Sequence, residues 1–131
     1  MRRVVTAPGA PAPVGPYSVG IATESLVFCS AQAGLDPATG RLVPGGTGPE
    51  TEQTLANLAE VLAAEGLSFE DVVKANLYLL DMGDWATVNA IYARTMGTTP
   101  PARTTIGVAA LPIGARIEIE MVAVRSAEPG S

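Results

Sequence analysis

An arginine in the last third of the chain is the polar residue best placed for chemistry. Arg103 directly follows the Pro-Pro-Ala sequence of residues 100–102, whose fixed backbone would hold its approach rigidly. A guanidinium can bind a carboxylate through two parallel hydrogen bonds. The arrangement predicts a clamp for a small acid; the alternative is a surface or interface salt bridge, because most arginines are structural or solvated.

Two glutamates form the second candidate feature. Glu118 and Glu120 alternate with apolar residues in the run Ile-Glu-Ile-Glu-Met of residues 117–121, so both carboxylates point to the face opposite the core. If that face lines a cleft, one carboxylate could hold and deprotonate a water. Otherwise the pair is a charged outer stripe, with Arg116 as a candidate partner. Alternation alone does not choose between Glu118 and Glu120.

Three aromatic residues complete the set. Tyr17 follows Gly-Pro and precedes a strand, so its phenol could hang over a pocket rim or could anchor the preceding arm. Trp85 and Tyr92 share a helical face with aliphatic residues, which predicts that both belong to the core.

The residue types that are missing narrow the chemistry. The chain has no histidine and one cysteine, Cys29, which excludes a Ser-His-Asp triad, a Cys-His dyad and any usual zinc site. Neither a phosphate loop nor a dinucleotide fingerprint is present, so no metal and no cofactor is expected. The net charge of −5 argues against a nucleic acid partner. A lone cysteine and no long apolar run predict a soluble cytoplasmic protein.

Hydrophobic periodicity then predicts the elements that must position these residues. Helical spacing of leucines and alanine predicts a helix over about 50–65, and a second helix follows over about 84–96. Strands are predicted over residues 26–30, 73–79, 102–106 and 116–121, and the turn residues at 36–40 predict a hairpin loop that returns the chain as a further strand before the first helix. The order is roughly ββ-α-β-α-ββ, which indicates an α+β fold in which two helices cover one face of a mixed sheet.

The predicted domain organisation is a single domain over residues 1–131, with an extended arm over 1–15 and a disordered tail over 127–131. The composition is 47% hydrophobic, slightly more than a lone small domain needs. The uncovered sheet face carries Val122 and Val124. Exposing these apolar side chains to water would be unfavourable in free energy, so we expect a symmetric oligomer to bury this face.

Seven segments together resemble the RidA (YjgF-type, L-PSP) family of enamine/imine deaminases, in order and in spacing over nearly the whole chain. They are residues 12–18 (Ala-Pro-Val-Gly-Pro-Tyr-Ser), 30–32 (Ser-Ala-Gln), 54–58, 71–74, 88–92 (Val-Asn-Ala-Ile-Tyr), 101–104 (Pro-Ala-Arg-Thr) and 111–120.

The resemblance implies a fold, an assembly and an activity. The fold would be chorismate-mutase-like. In the homotrimer the sheets would form an inner barrel with the helices outside it, and the sites would lie in the clefts between subunits. The activity would be metal-free hydrolysis of reactive 2-enamine or 2-imino acids, such as 2-aminoacrylate, to 2-keto acids and ammonia. Imines already hydrolyse in water, so positioning and a polarised water would suffice for catalysis.

The resemblance also implies residue roles. The carboxylate-binding arginine would be Arg103, the water-orienting glutamate Glu118 and the pocket tyrosine Tyr17. The pocket would be further lined by Ser30, Ala31, Asn89 and Thr105.

Three departures bear on specificity. Ala31 stands where the family usually has glycine, Thr105 where many members have cysteine, and Glu50 where glutamine is common. They leave open a divergent member that acts on another enamine. A non-catalytic trimer that binds small carboxylates is a further alternative, and ribonuclease activity is the weakest because the chain is acidic and lacks histidine.

Overall fold

The computed structural model describes residues 1–126, so the predicted disordered tail lies outside the described residues. The strands are β1 (Arg3–Val4), β2 (Gly20–Ala22), β3 (Leu26–Gln32), β4 (Val72–Leu79), β5 (Ala102–Gly107) and β6 (Ile117–Val124). The helices are α1 (Thr47–Ala63) and α2 (Trp85–Met96), with short 3-10 turns at Phe69–Asp71, Met82–Asp84 and Pro112–Gly114. The α+β class is confirmed; β1 is an extra two-residue strand inside the segment predicted as an arm.

The six strands form one mixed sheet in the order β1-β2-β3-β6-β4-β5. Within residues 1–126, β4 and β5 are the one parallel pair, and every other neighbouring pair is antiparallel. Since β5 pairs with one neighbour, it forms an edge of the sheet. This edge is where Arg103 lies.

Both helices pack on the same face of the sheet and build the core there. The inward residues alternate strictly with outward ones along β6, and along β4 from Lys74 onward, after a register shift between Val72 and Lys74; a sheet covered on one side requires this alternation. Fully buried residues of this core include Leu58, Val61 and Leu62 of α1, Leu77 and Leu79 of β4, and Ile117 and Ile119 of β6. Helix α1 begins three residues before the predicted start and ends two residues before the predicted end.

The opposite face of the sheet is open in the single chain. Phe28 and Ile106 are 44% and 46% exposed, and Val122 and Val124 are partly exposed. An uncovered apolar sheet face of this kind is unusual in a monomer. No helix among residues 1–126 is long and apolar enough to cross a membrane.

A buried asparagine ties α1 to the loop that follows β3. The Asn57 side-chain amide donates hydrogen bonds to the carbonyl oxygens of Ala33 (3.1 Å) and Leu35 (2.9 Å), and its own oxygen accepts one from Gln53 (2.8 Å). Asn57 is 1% exposed. These bonds fix the loop directly after Ser30 and Ala31.

Replacing Asn57 by alanine should therefore destabilise the fold by about 1–3 kcal/mol, because two buried carbonyl groups lose their donor. Chemical denaturation measures the change. Glu52→Ala, which removes an exposed ion pair with Arg94, is the matched control on the same helix, and it should cost less than about 0.5 kcal/mol. Equal effects of the two substitutions would contradict this role of Asn57.

Candidate active site

Arg103 is held in place by two polar side chains. Its Nε donates to the Thr105 hydroxyl (2.7 Å) and its Nη2 donates to Asn89 Oδ1 (2.6 Å). Thr105 lies two residues further on the same face of β5, while Asn89 comes from α2. The sequence assigned both residues to the site by resemblance, and the structure brings both to the guanidinium.

Two aromatic rings pack against the guanidinium. The carbon Cζ of Arg103 lies 5.1 Å from the centre of the Trp85 ring and 4.7 Å from that of Tyr92, within the range of cation–π contacts. Tyr92 is buried, as predicted. The prediction that Trp85 is a core residue is wrong: Trp85 is 44% exposed, because it stands at the first position of α2, beyond the covered face, and contacts the guanidinium.

These contacts leave one edge of the guanidinium available. Nε and Nη2 form the side edge of the fork, and Thr105 and Asn89 occupy it. The end formed by Nη1 and Nη2 still carries donors with no partner among residues 1–126. Partial burial lowers the pKa of Arg103, but an arginine stays charged at any physiological pH. The arrangement can bind a carboxylate end-on.

A second region contains the remaining predicted residues around a cavity of about 430 Å³. Its lining includes Tyr17, Ser30, Ala31, Glu118 and Glu120, together with the arm residues Pro11, Ala12, Pro13 and Val14 and the turn residues Pro112 and Ile113. No pattern in the sequence predicted that these arm and turn residues would line the cavity. None of the lining residues within 1–126 is a lysine or an arginine.

A β-bulge shapes this cavity. Cys29 pairs with Met121 and Gln32 pairs with Ile119, so Ser30 and Ala31 together oppose a single residue of β6. A bulge of this kind bends the strand and re-aims its side chains. The Ser30 hydroxyl donates to the Ser18 carbonyl (2.6 Å) and so links β3 to the segment that follows the arm.

Tyr17 is fixed at the cavity rim by its own arm. Its hydroxyl oxygen accepts a hydrogen bond from the Val14 backbone N–H at 3.2 Å. The ring is 46% exposed, and the phenolic proton remains available to a ligand. Tyr17 therefore lines the cavity, and its hydrogen bond to Val14 is local to the arm and does not join the arm to the rest of the domain.

The two glutamates differ in their surroundings. Glu120 Oε1 accepts hydrogen bonds from the Tyr78 hydroxyl and from Asn76 Nδ2. Glu118 accepts none from residues 1–126, and its partial burial raises its pKa. A carboxylate with free lone pairs and a raised pKa is the better candidate for binding water and taking its proton. This supports Glu118, which alternation alone could not separate from Glu120.

Arg103 and Glu118 do not meet within one chain. Arg103 pairs directly with Ala75, which is fully buried beneath the helices, whereas Glu118 pairs with Tyr78 on the open face. Directly paired residues share a face of a sheet, so the two groups lie on opposite faces.

Glu50 lies apart from both regions. It is 4% exposed, and its Oε1 accepts the Arg116 backbone N–H at 2.9 Å. It therefore fixes the start of β6 rather than lining the cavity.

Comparison with known proteins gives concordant findings. A profile of the family described as Endoribonuclease L-PSP matches residues 8–125. The 2-iminobutanoate/2-iminopropanoate deaminases of Mus musculus and Bos taurus are 46% and 44% identical over 125 residues, which span 95% of this chain and 93% and 91% of theirs. The crystal structure of RidA from an Antarctic Psychrobacter species matches with a TM-score of 0.91 at 36% identity, covering 94% of this chain and 99% of that one.

The raised pKa of Glu118 has a consequence for stability. A carboxyl group whose folded-state pKa is raised destabilises the fold once the pH exceeds its unfolded pKa, and the full cost is present above its folded pKa. Glu118→Gln should therefore raise the melting temperature at pH 7, by about 1–2 °C, and should have no such effect near pH 3.5. The exposed Glu24→Gln, which makes the same charge change, is the control; a Glu118→Gln protein no more stable than this control at pH 7 would contradict the assignment.

Proposed function

We propose that this chain, which belongs to the Endoribonuclease L-PSP (RidA) family, is an enzyme that hydrolyses 2-imino acids and their enamine tautomers to 2-keto acids and ammonia. The names of its mammalian relatives, 2-iminobutanoate/2-iminopropanoate deaminases, support this reaction. The observation that carries the proposal is a guanidinium held with its carboxylate-binding end free.

Substrate binding begins at Arg103. A 2-imino acid carries a carboxylate next to its C=N carbon, and the Nη1 and Nη2 end of Arg103 would donate one hydrogen bond to each carboxylate oxygen. Thr105 and Asn89 stop the guanidinium from rotating about its stem. A substrate held by two parallel bonds then presents its imine carbon in one orientation. This positioning lowers the entropic part of the activation free energy.

Water addition would use Glu118. The carboxylate accepts a proton from a water as the water oxygen attacks the imine carbon, and the imine nitrogen gains a proton. Glu118 then returns its proton to the nitrogen of the resulting carbinolamine, which leaves as ammonia when the C–N bond breaks; the hydroxyl group loses its proton to solvent and becomes the C=O group. Tyr17, whose phenolic proton is free, would donate a hydrogen bond to the reacting group at the cavity rim.

The two halves of the site would come from neighbouring copies in a homotrimer. Within one chain the cavity contains two glutamates and no cation from its lining residues, so it would repel an anionic substrate. A copy packed against the open face could bring Arg103 of the partner subunit to this cavity. The exposed apolar residues Phe28 and Ile106 support such packing. A repeated head-to-tail contact of this type closes into a ring.

We expect neither RNA binding nor RNA cleavage despite the description of the family. The chain has a net charge of −5, and phosphate backbones are bound chiefly by lysine and arginine. A cytoplasmic location is also proposed, since the one cysteine, Cys29, allows no intrachain disulfide, as is usual for proteins of a reducing compartment.

Arg103→Ala should lower kcat/KM at least about 100-fold, because the carboxylate loses both hydrogen bonds and its orientation. The rate is measured as keto-acid release from a 2-imino acid generated enzymatically in situ. Arg103→Lys, which keeps the charge and loses the fork, should fall between wild type and alanine.

The matched control is Arg94→Ala, which removes an exposed arginine from α2 and should leave the rate unchanged. An unaltered rate for Arg103→Ala would remove this residue from the site. Carboxylate binding by the wild-type chain without any rate enhancement would contradict the enzymatic proposal and favour the non-catalytic trimer.

Charging the open face should dissociate the assembly and abolish activity together. Ile106→Glu would bury an unpaired carboxylate in the proposed contact, at a cost of several kcal/mol. Sedimentation should show a trimer for wild type and smaller species for this variant. Ala56→Glu on the exposed side of α1 is the control and should remain trimeric; a trimeric and active Ile106→Glu protein would contradict this interface.

A further inference from the structure

The turn before β6 contains a residue in an unfavourable backbone conformation. Ile113 has φ 57° and ψ 18°, in the left-handed region, and the other residues with positive φ among residues 1–126 are glycines. A β-branched side chain crowds the backbone in this region, which glycine and asparagine adopt at much lower cost. An isoleucine at this position therefore needs a reason beyond the geometry of the turn.

Burial does not supply that reason. Ile113 is 51% exposed, and it belongs to neither of the two clusters of buried apolar residues in the described part of the chain. It lines the cavity that contains Glu118. Strained residues concentrate at binding and catalytic sites, where the surrounding structure holds them in place. Strain and location together indicate that Ile113 has a role in the cavity.

The segments on both sides of Ile113 are firmly held. Leu111 and Ala115 pack with Leu35 in a small second core, and Ala115 is 1% exposed. The next residue, Arg116, donates its backbone N–H to the carboxylate of buried Glu50 at 2.9 Å. A turn anchored before and after Ile113 cannot relax without breaking these contacts. The isoleucine side chain therefore stays at the cavity rim.

The lining of the cavity differs in chemistry from one part to another. The carboxylates and hydroxyls assigned to binding and water addition make up its polar part. The remaining residues are mostly aliphatic and include Val14, Val19, Leu35, Pro112 and Ile113. Val19 and Leu35 are buried, whereas Val14 and Ile113 are more than half exposed and form an apolar part of the rim. The cavity thus offers an apolar surface beside its two glutamates.

One part of a 2-imino acid has no partner in the proposed reaction. Carbon C2 carries the carboxylate, the imine nitrogen and the side chain. The guanidinium of Arg103 would bind the carboxylate, and the water held by Glu118 would add to C2. The side chain then extends toward the apolar part of the cavity, where its burial is favourable.

We propose, resting on the proposed function, that Ile113 is a specificity-determining residue: it contacts the substrate's side chain, and the enzyme favours 2-imino acids with branched aliphatic side chains over 2-iminopropanoate. A cavity of about 430 Å³ lies within the range of sites for ligands larger than 2-iminopropanoate. Each CH2 group removed from water favours binding about fourfold. Because the rim is open, cover is partial, and we expect a preference of about tenfold for the leucine-derived imino acid over the alanine-derived one.

The experiment compares kcat/KM for the 2-imino acids generated in situ from leucine and from alanine by an L-amino acid oxidase. Wild type should prefer the leucine-derived imino acid about tenfold. Ile113→Asn suits the left-handed turn but removes the apolar contact. The preference should therefore fall to about twofold or less, through a loss on the leucine-derived imino acid alone. An equal loss on both imino acids, or no preference in wild type, would overturn the inference.

Two further variants serve as controls. Ile113→Gly removes the side chain and suits the same φ, so it should lower the preference as Ile113→Asn does, and it serves where Ile113→Asn fails to fold. Val4→Asn removes a side chain of β1 that is 55% exposed and outside the cavity lining, so it should leave both rates unchanged. A preference retained in both Ile113 variants, or lowered as much by Val4→Asn, would contradict the assignment.

Stability separates a contact with substrate from a structural role. Ile113→Asn removes the strain, so it should raise the melting temperature by about 2–4 °C at equal protein concentration. Val4→Asn should not raise it, and Ile113→Asn should sediment as wild type does. A lower melting temperature or a smaller species for Ile113→Asn would show that the isoleucine packs against the fold or against a partner copy, and would overturn the inference.

Binding of the keto-acid products needs no catalysis, so it separates this inference from the deaminase proposal. Calorimetry should give wild type a Kd for 4-methyl-2-oxopentanoate about tenfold lower than for 2-oxopropanoate, and Ile113→Asn about equal values. This pattern in a chain that does not accelerate imine hydrolysis would overturn the deaminase proposal alone. An active enzyme with the same Kd ratio in wild type and Ile113→Asn would overturn the role of Ile113 alone.

Discussion

The pairing of β4 with β5 on one side and β6 on the other determines what a single chain can do. Residues that pair directly share a face, so the register that places Arg103 beside buried Ala75 and Glu118 beside Tyr78 puts the two groups on opposite faces. No side-chain rotation brings them together through a sheet. In the proposed function, the carboxylate-binding Arg103 and the water-binding Glu118 would therefore act together when a second copy supplies one of them.

The charged residues are divided between the two faces of the sheet in the same way. The guanidinium contacts two aromatic rings and two neutral polar side chains, and it forms no ion pair with any of residues 1–126. The cavity holds two carboxylates, of which Glu120 is engaged by Tyr78 and Asn76. An incoming partner would thus add a cation to a region that has only anions, and each half of the site is complementary to the other.

Much of the fold followed from periodicity, and less of the site did. The alternation in β4 and β6 and the helical spacing in α1 and α2 were strong enough to give the element types and the covered face. Helical spacing predicted that Trp85 lies on the core face of α2. Trp85 instead lies beside Arg103, because it stands at the start of the helix. Periodicity indicates which face of a helix is apolar but not how far the sheet extends beneath that face. The bulge at Ser30 and Ala31 depends on pairing with β6, about 90 residues later, and no local pattern encodes it. The distinction between Glu118 and Glu120 likewise depends on two residues of another strand.

The central claim, that Arg103 and Glu118 of different copies form one site, is tested most directly by mixing two inactive variants. Arg103→Ala and Glu118→Gln proteins are unfolded together in equal amounts and refolded, and keto-acid release is compared with that of each variant refolded alone. In a ring of three, each mixed trimer regains one site with both wild-type residues, so the mixture should recover about a quarter of the wild-type rate. A mixture that forms trimers yet remains as inactive as its two parents would contradict the account.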